Sequence, residues 1–414
     1  MLKVKTGQST KANAAEAGRE AASYVKDEIK DMRMAFVYSG VQYDQKELIR
    51  SISMELPGVP LIGNTSFTGV ITPEGFTSGD DGFVGIMSLS DSDMTVGVAG
   101  MEKEGTARET GHKVAEKALL AAGKEEAPDY FYMSAPPGEE EYYLKGITEV
   151  IGRVPFFGGS AADNTITGEW LVYAENIVTA DGVAVAFFYS DKPFANKFTG
   201  AYNETTNAGV ITKIDGDRTL VEIDGVTALD KYREWTGASA EDVAGGNLLG
   251  YAVCKPLAVK DRLGDLAAIR HPMNGNEDGS IAIGNNLAVG TAVIQMEASV
   301  DELIASVGKT LEELKAKIGG PIGGLHLVHC GGRRAGIDAR IDEVTEQIKK
   351  SVGDIPFIVE FTFGEYGYED DGNNTCGGLM LSFTAFGKQG ESFEKYRYLE
   401  SRLEMNTYEN DHRR

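Results

Sequence analysis

Cysteine and long apolar runs are scarce in this sequence, and each shortage excludes a class of protein. The three cysteines, Cys254, Cys330 and Cys376, lie far apart in 414 residues. We therefore expect reduced thiols, with neither a disulfide framework nor a zinc site of CxxC spacing. No apolar stretch approaches the roughly 20 residues of a transmembrane helix, and the polar N-terminal stretch is unlike a secretion signal. These absences predict a cytoplasmic protein without membrane insertion.

Basic residues are also scarce, because 40 Lys and Arg stand against 63 Asp and Glu, a formal net charge of −23. Nucleic-acid binding depends on Lys and Arg side chains that neutralise phosphates, so a nucleic-acid partner is not expected. The acidic excess is typical of a solvated surface. With 414 residues, of which 42% are hydrophobic, the chain is long enough for two or three domains with full cores.

The sequence does contain one unit written three times: a short apolar strand, a helical stretch, and a second strand that begins with a β-branched residue and proline. The second strands lie at 59–63, 154–158 and 355–359, and the first two copies align without a gap. A unit of this kind places a strand end and its turn at one edge of a sheet. Its repetition predicts a composite pocket at that edge.

Helical and strand patterns around these units predict the fold class. Helical spacing of alanine and charged residues predicts helices over about 11–30, behind Ser9 and Thr10 as caps, over 106–122 and over 300–318. Strand-rich stretches at 197–223 and 248–296 predict hairpins. We therefore expect an α/β fold of two domains built from repeated β-α-β-β units, with mixed sheets covered by helices.

The expected domain boundary is the loop with Gly245 and Gly246, which follows a short helix that ends at Trp235. It divides the chain into a domain at 1–240 with two repeats, a domain at 241–390 with the third, and a tail at 391–414. The tail has a charged helical pattern. It is either a helix docked on its own domain or a signalling linker, and such a helix could support a homodimer.

Several motifs occur in a fixed order along nearly the whole chain. They are Gly7-Gln8-Ser9-Thr10, the two Val-Pro strands with Gly159-Ser160-Ala161-Ala162-Asp163, and then Cys330-Gly331-Gly332-Arg333, Phe363-Gly364-Glu365 and Asn373-Asn374-Thr375. Taken together, this set resembles the FIST family. The resemblance implies an intracellular sensory module of bacteria or archaea that binds small molecules such as amino acids. It also implies an output partner of kinase, chemoreceptor or cyclase type, and no enzymatic activity.

Two departures from the family pattern bear on this resemblance. Asn64-Thr65-Ser66 stands where relatives usually carry a cysteine-containing run with an acid, and Thr199-Gly200-Ala201-Tyr202 replaces a His-Gly-Trp-like stretch. Some relatives bind haem. The chain has five histidines and none at that position, so a haem-binding gas sensor is disfavoured and no cofactor is expected.

The first predicted ligand-binding group follows the second Val-Pro strand. Gly159 and Ser160 would let a ligand approach the backbone, while Asp163 and Asn164 would supply polar contacts, Asp163 to an α-amino group. Asn64 and Thr65 occupy the corresponding turn of the first copy. The alternative is a tight turn in which Asp163 and Asn164 satisfy their own backbone.

The second predicted ligand-binding group lies in the C-terminal half and comprises Cys330, Arg333, Glu365, Asn373, Asn374 and Thr375. Arg333 could hold a carboxylate through two parallel hydrogen bonds, and Glu365 could hold an ammonium. They could equally pair with one another. Asn373, Asn374 and Thr375 either line the same edge or form a turn before the next strand.

An enzyme is the alternative from another class, with Cys330 or Ser160 as its nucleophile. Cys330 would need a base to lower its thiol pKa. His329 is its sequence neighbour, but adjacent residues of a strand point to opposite faces, so His329 is poorly placed. An inert buried thiol is the favoured interpretation. Two histidines at 326 and 329 likewise fail to complete a metal site.

Overall fold

The computed structural model describes residues 1–260, 266–370 and 372–389. Within them the chain passes three times through the same elements: edge strand, helix, strand, helix, strand, hairpin and last strand. The first repeat consists of β1 (Lys3–Ser9), α1 (Ala14–Ser23), β2 (Met32–Ser39), α2 (Gln45–Glu55), β3 (Leu61–Thr65), β4 (Val70–Thr72), β5 (Gly75–Thr77) and β6 (Val84–Ser90). The second consists of β7 (Thr95–Glu102), α3 (Ala107–Ala122), β8 (Tyr130–Ala135), α4 (Glu140–Ile151), β9 (Phe156–Ser160), β10 (Val172–Ala174), β11 (Ile177–Thr179) and β12 (Gly182–Tyr189).

The third repeat begins with β13 (Phe194–Thr199) and is then interrupted by a largely antiparallel unit, here called the inserted sheet. This unit comprises β14 (Asn203–Asp215), β15 (Thr219–Ile223), β16 (Val226–Thr227), α5 (Ala228–Thr236), α6 (Leu249–Ala252), β17 (Leu257–Lys260), β18 (Ala267–Arg270), β19 (Pro272–Gly275), β20 (Ile281–Ile283) and β21 (Ala292–Glu297). The repeat resumes with α7 (Val300–Ile318), β22 (Ile322–Cys330), α8 (Gly331–Ile337), α9 (Ile341–Val352), β23 (Phe357–Thr362), β24 (Glu365–Tyr368), β25 (Asn374–Gly377) and β26 (Leu381–Gly387).

Each repeat gives four strands to its own six-stranded sheet and its hairpin to the sheet of another repeat. The strand orders are β1-β6-β2-β3-β10-β11, β7-β12-β8-β9-β24-β25 and β13-β26-β22-β23-β4-β5. The hairpins therefore close a ring: the second repeat completes the first sheet, the third completes the second, and the first completes the third. We call this arrangement the hairpin exchange.

The sheets are mixed, as expected from the sequence. In the first sheet β2 runs parallel to β3 and antiparallel to β6, and the other two repeats keep the same pattern. Helices cover them in pairs, α1 with α2, α3 with α4 and α7 with α9. The fold class predicted from the sequence is confirmed. The expected boundary at 240 lies inside the inserted sheet, between α5 and α6, and the division into two domains stays a prediction. The predicted tail at 391–414 lies outside the described residues.

Capping residues explain where the long helices begin and end. Ser299 and Glu302 form a capping box at the start of α7, and Gly319 ends it with a left-handed φ of 64°. Both this helix and α3 have the predicted extents. The prediction for α1 was wrong at its start, since Asn13 caps the helix and Ser9 belongs to β1.

Strand register corrects the ungapped alignment of the first two copies. Ala35 pairs with Leu61 in the first repeat, whereas Phe131 pairs with Phe156 in the second. The residue equivalent to Ala35 is therefore Phe131 and not Tyr130. The ungapped alignment was wrong in its first strand because one residue fewer separates the two paired strands in the second repeat.

Three structurally equivalent side chains from β2, β8 and β22 meet where the sheets share a core. They are Phe36, Tyr132 and His326, all fully buried, and we call them the central cluster. Their ring centroids are 5.1 Å apart for Phe36 and Tyr132, 4.7 Å for Phe36 and His326, and 5.6 Å for Tyr132 and His326. The three repeats thus pack around one common centre rather than as separate units.

A buried polar layer lies beside the central cluster, and Asn64 belongs to it. The Asn64 amide donates to Glu360 Oε2 at 2.8 Å and to Ser134 Oγ at 3.0 Å, while the Tyr38 hydroxyl lies 2.5 Å from His326 Nε2. Burial raises the pKa of Glu360 to about 8 and lowers the pKa of His326 to about 3. Both groups are therefore neutral around neutral pH, which suits their apolar surroundings.

We expect a fragment of residues 1–191 to lack cooperative unfolding. Without β24 and β25, strand β9 loses its outer neighbour, and without β23 the hairpin β4–β5 has no sheet to join. Circular dichroism during thermal unfolding checks this against the full chain. A fragment that melts in a sharp, cooperative transition would show that the hairpin exchange is not required for folding.

The difference in stability between Glu360→Gln and the wild type should depend on pH. The folded-state pKa of Glu360 is about 8, above the unfolded value of about 4.3, so the folded protein holds a proton that the unfolded chain releases. Wild-type stability should fall through this window as pH rises, whereas glutamine does not titrate.

Urea unfolding of both proteins from about pH 5 to about pH 8 measures this difference. One pKa unit corresponds to about 1.4 kcal/mol. Between these pH values, the difference in unfolding free energy should therefore change in favour of Glu360→Gln by up to roughly 4 kcal/mol. A difference that stays constant with pH would contradict the raised pKa of Glu360.

Candidate functional site

A partly enclosed cavity of about 560 Å³ lies between the ring of three repeats and the inserted sheet. We call it the junction pocket. Its walls come from all three repeats: Phe67 follows β3, Trp170 precedes β10, and Cys330 ends β22. The inserted sheet closes the remaining side with β15, α6, β19 and β20. Such a volume is in the usual range for a small-molecule site.

Most of the wall is apolar. The loops after β3, β9 and β23 supply aromatic rings, and Trp170 and Phe363 are in edge contact with centroids 6.1 Å apart. The larger apolar side chains of the wall are Phe67, Trp170, Leu249, Met273, Phe363 and Leu379. A ligand in this pocket would gain most of its binding energy by removing apolar surface from water.

Arg218 is the charged side chain at the pocket wall, and protein groups already hold it. Its guanidinium donates to Glu140 and Glu141 at 2.6 Å each, to the Gly284 carbonyl at 2.7 Å, and to Asn286 Oδ1 at 2.8 Å. Burial opposes its charge, but the two carboxylates raise the pKa of Arg218 above its ordinary value. Arg218 therefore joins the inserted sheet to α4 and offers no free positive charge to a ligand.

His271 and Asn285 bring two hydrogen-bond acceptors to the same wall. The His271 Nε2 lies 3.0 Å from the Leu249 carbonyl, and a carbonyl only accepts, so Nε2 carries the proton and Nδ1 is an acceptor. Burial lowers the pKa of His271 to about 4, which keeps the ring neutral. Asn285 is 1% exposed, and its Oδ1 has no hydrogen-bond partner within the described part of the protein.

Cys330 lies beside His271 but is poorly suited to act as a nucleophile. An ideal Cβ on Gly332 would be 3.4 Å from His271 Cε1 and 3.5 Å from Cys330 Sγ. The sulfur accepts backbone N–H groups from Gly332 at 3.3 Å and Leu379 at 3.2 Å. Burial and the nearby Glu365 carboxylate outweigh these bonds and raise the pKa of Cys330 strongly. The thiol is neutral.

The side chains of Asp163 and Asn164 accept hydrogen bonds from backbone N–H groups. The Asp163 carboxylate accepts the N–H groups of five successive residues, 165 to 169, and Asn164 Oδ1 accepts from Thr68 N at 2.9 Å. Thr65 Oγ1 accepts from Leu171 N at 2.8 Å in the same region. These bonds fix the loop that carries Trp170 to the pocket. Asp163 binds the backbone of its own loop, as in the turn alternative, whereas Asn164 binds a distant segment. An α-amino group at Asp163 would have to displace its backbone bonds.

Gly159 and Ser160 lie against the exchanged hairpin of the third repeat. Gly159 pairs with Glu365 across β9 and β24, and Ser160 Oγ lies 3.2 Å from Glu140 Oε1 and 2.7 Å from the Tyr366 hydroxyl. Ser160 is fully buried. Its neighbours form a polar chain from Tyr366 through Glu140 to Arg218 at the pocket.

Arg333 and Glu365 each have other partners. Arg333 donates to the Gly200 carbonyl at 2.7 Å and to Ser306 Oγ at 2.6 Å, and burial lowers its pKa. Glu365 accepts from Thr362 Oγ1 at 2.8 Å and from Met380 N at 2.7 Å, and burial raises its pKa to about 8. No ion pair joins Arg333 to Glu365 among the described residues. That they read an amino acid stays a prediction.

Asn373, Asn374 and Thr375 line two other clefts, of about 760 and 420 Å³, on either side of Arg270. Asn374 donates to the Val154 carbonyl at 2.8 Å. These residues therefore lie at the outer edge of the second sheet, apart from the junction pocket. Cys330 is the predicted site residue that lines the junction pocket itself.

Sequence analysis missed Arg218, His271, Asn285 and Trp170. One signal was present, since Gly284-Asn285-Asn286 follows the short apolar strand β20, the same pattern that drew attention to Gly159 and Ser160. His271 and Trp170 carry no such signal, because their position at the pocket depends on contacts between distant parts of the chain.

Over the residues that the structure describes, no group of three or more His, Cys, Asp or Glu is placed to hold a metal ion. Among the helices of that same part of the chain, none is both long and apolar enough to cross a bilayer.

Three interlocked α/β repeats around a shared core, with a cavity at their junction with an inserted sheet, make this a mixed α/β protein with a candidate small-molecule site at that junction. Two family models match this chain, the FIST N domain over residues 33–226 and the FIST C domain over residues 228–368. The chain belongs to the FIST family, whose domains are sensory domains that bind small ligands in signal transduction. The resemblance inferred from the sequence is confirmed.

Comparison with solved structures finds distant similarities. A cyanuric acid hydrolase from A. caulinodans is 10% identical with a TM-score of 0.36 and covers 94% of this chain and 100% of its own. A phosphoribosylformylglycinamidine synthase II from Thermotoga maritima is 10% identical with a TM-score of 0.23, covering 93% of this chain and 72% of its own. These similarities are too remote to inform on activity. A search of curated protein sequences gives no significant match.

The raised pKa of Cys330 predicts slow alkylation. At neutral pH Cys330 should react with iodoacetamide more slowly than a free thiol and more slowly than the half-buried Cys254, because only the thiolate reacts. Mass spectrometry of the labelled peptides over time measures both rates in one sample. In denaturant the two cysteines should react alike, and a native Cys330 that reacts fastest would instead support the enzyme alternative.

Proposed function

We propose that this chain is an intracellular sensory protein that binds a small molecule in the junction pocket and passes the bound state to an output partner. The observation that carries the proposal is the position of the pocket: its walls come from three repeats and from the inserted sheet. A ligand that contacts both units stabilises one relative arrangement of them over others. Ligand binding would thereby change how the inserted sheet packs against the three repeats.

The Arg218 network supports a path for that change. Arg218 links Asn286 and Gly284 of the inserted sheet to Glu140 at the start of α4, and Glu140 continues to Ser160. A shift of the inserted sheet would therefore act on a helix and a strand of the second repeat. The type of output partner, a kinase, chemoreceptor or cyclase, is proposed from the family resemblance alone.

The identity of the ligand is also part of the proposal. A small polar metabolite such as an amino acid was expected at Asp163, Arg333 and Glu365, but the charged groups of these residues are engaged within the protein. The junction pocket is a better candidate because two acceptors at its wall, His271 Nδ1 and Asn285 Oδ1, have no protein partner in the described part of the chain. Amino acids remain one group in the panel to be tested.

Filling the pocket should abolish binding without unfolding the protein. Ala282 lies half-buried in β20 and lines the pocket, so Ala282→Phe would place a ring inside it. In a thermal-shift screen of metabolites, a ligand at 100 times its Kd should stabilise the wild type by about 2.7 kcal/mol and leave Ala282→Phe unchanged. Isothermal titration calorimetry then gives the Kd of each hit.

The matched control is Ala208→Phe, which changes an exposed alanine of the same sheet outside the pocket. It should keep the ligand-induced shift. If no compound of a broad panel stabilises the wild type, or if Ala282→Phe responds as the wild type does, the junction pocket is not the sensory site.

A further inference from the structure

The polar groups of the junction pocket constrain what kind of molecule it takes. Three of its lining side chains are ionisable, Arg218, His271 and Cys330. Arg218 is held by two carboxylates, Glu140 and Glu141, and the other two are neutral because burial opposes their charged forms. A ligand carboxylate would therefore meet no free cation at the wall, and a ligand ammonium no free carboxylate. Burying either charge unpaired is costly.

Among the described residues of the wall, Asn285 and His271 each carry a hydrogen-bond acceptor without a protein partner. Asn285 Nδ2 faces Glu141 Oε1 at 3.4 Å, which leaves Oδ1 as the unpartnered atom. His271 Nε2 is used by the Leu249 carbonyl, which leaves Nδ1. An acceptor that is buried without a donor costs free energy, so a ligand N–H or O–H that reaches it is favoured over a group that cannot donate.

Asn285 and His271 lie close together, and both contact glycines of the wall. An ideal Cβ on Gly378 would lie 3.4 Å from both Asn285 Oδ1 and His271 Cβ, and one on Gly332 would lie 3.4 Å from His271 Cε1. His271 therefore lies between the two glycines, with Asn285 on one side. The polar patch is a single place in an otherwise apolar wall that includes Trp170 and Phe363.

Resting on the proposed function, we infer that the ligand of the junction pocket is an uncharged molecule with a flat apolar body that donates an N–H or O–H to the Asn285 and His271 patch. Zwitterionic amino acids do not fit this description. Heteroaromatic or amide compounds with one or two N–H groups do.

A matched series on one scaffold tests the inference: indole, 1-methylindole, indole-3-carboxylate and tryptamine, each titrated into the full chain by calorimetry. Indole should bind most tightly. Loss of the donor in 1-methylindole should weaken binding about tenfold, since an unmade buried hydrogen bond costs that order of affinity. The anionic and cationic members should bind more weakly still.

Substitutions test whether the ligand donates its hydrogen bond to Asn285. Asn285→Leu should weaken indole about tenfold and leave 1-methylindole unchanged, whereas Asn203→Leu, at an exposed position outside the pocket, should change neither. The wild-type ranking stands as a test even if a variant fails to fold.

The outcomes separate this inference from the proposed function. If indole-3-carboxylate or tryptamine binds the wild type as tightly as indole and Ala282→Phe abolishes that binding, the pocket is a ligand site but the ligand class is wrong. Equal binding of indole and 1-methylindole would also overturn the donor requirement. If none of the four binds up to its solubility limit while a compound of the broad panel stabilises the wild type and not Ala282→Phe, the inference fails and the proposed function stands; if the panel also gives no such compound, both fail.

Discussion

The packing of Phe36, Tyr132 and His326 around one centre is the constraint on which the rest of the fold depends. These residues are equivalent positions of three repeats, and each is fully buried. A single repeat could not bury its ring without the other two, so the sheets must meet there. The hairpin exchange adds a second requirement, since every sheet takes its outer two strands from another repeat. The three repeats therefore form one cooperative unit.

This arrangement explains where the candidate site lies. The loops that follow β3, β9 and β23 reach the same region, and the inserted sheet packs over them to close the junction pocket. The polar residues of the loops divide into two roles. Asp163 and Asn164 shape loops through backbone hydrogen bonds, while Asn285 and His271 of the inserted sheet keep acceptors unused by the protein. In the proposed site, the insertion therefore carries the recognition groups and the repeats support them.

Sequence patterns predicted the regular parts of the fold and missed the interlocking of its repeats. The capped helices α3 and α7 were predictable because their N-cap serine or threonine and the glutamate three residues later act within one turn. The composite pocket at the strand ends was anticipated, and Cys330 was named for it. The remaining predicted residues lie outside this pocket. Several of them, such as Asn64, Asn164 and Arg333, form hydrogen bonds with distant segments that local spacing does not reveal.

Short sequence segments were enough to predict the threefold repeat, the mixed α/β class and membership of the FIST family, since these depend on periodicity and on local motifs. Tertiary structure alone decided which hairpin completes which sheet and which side chains reach the junction pocket. His271 and Cys330 are far apart in the chain, and Arg218 meets Glu140 and Glu141 across the boundary between inserted sheet and repeat. The physical reason is that burial and pairing depend on neighbours in space, and a residue type alone does not specify them.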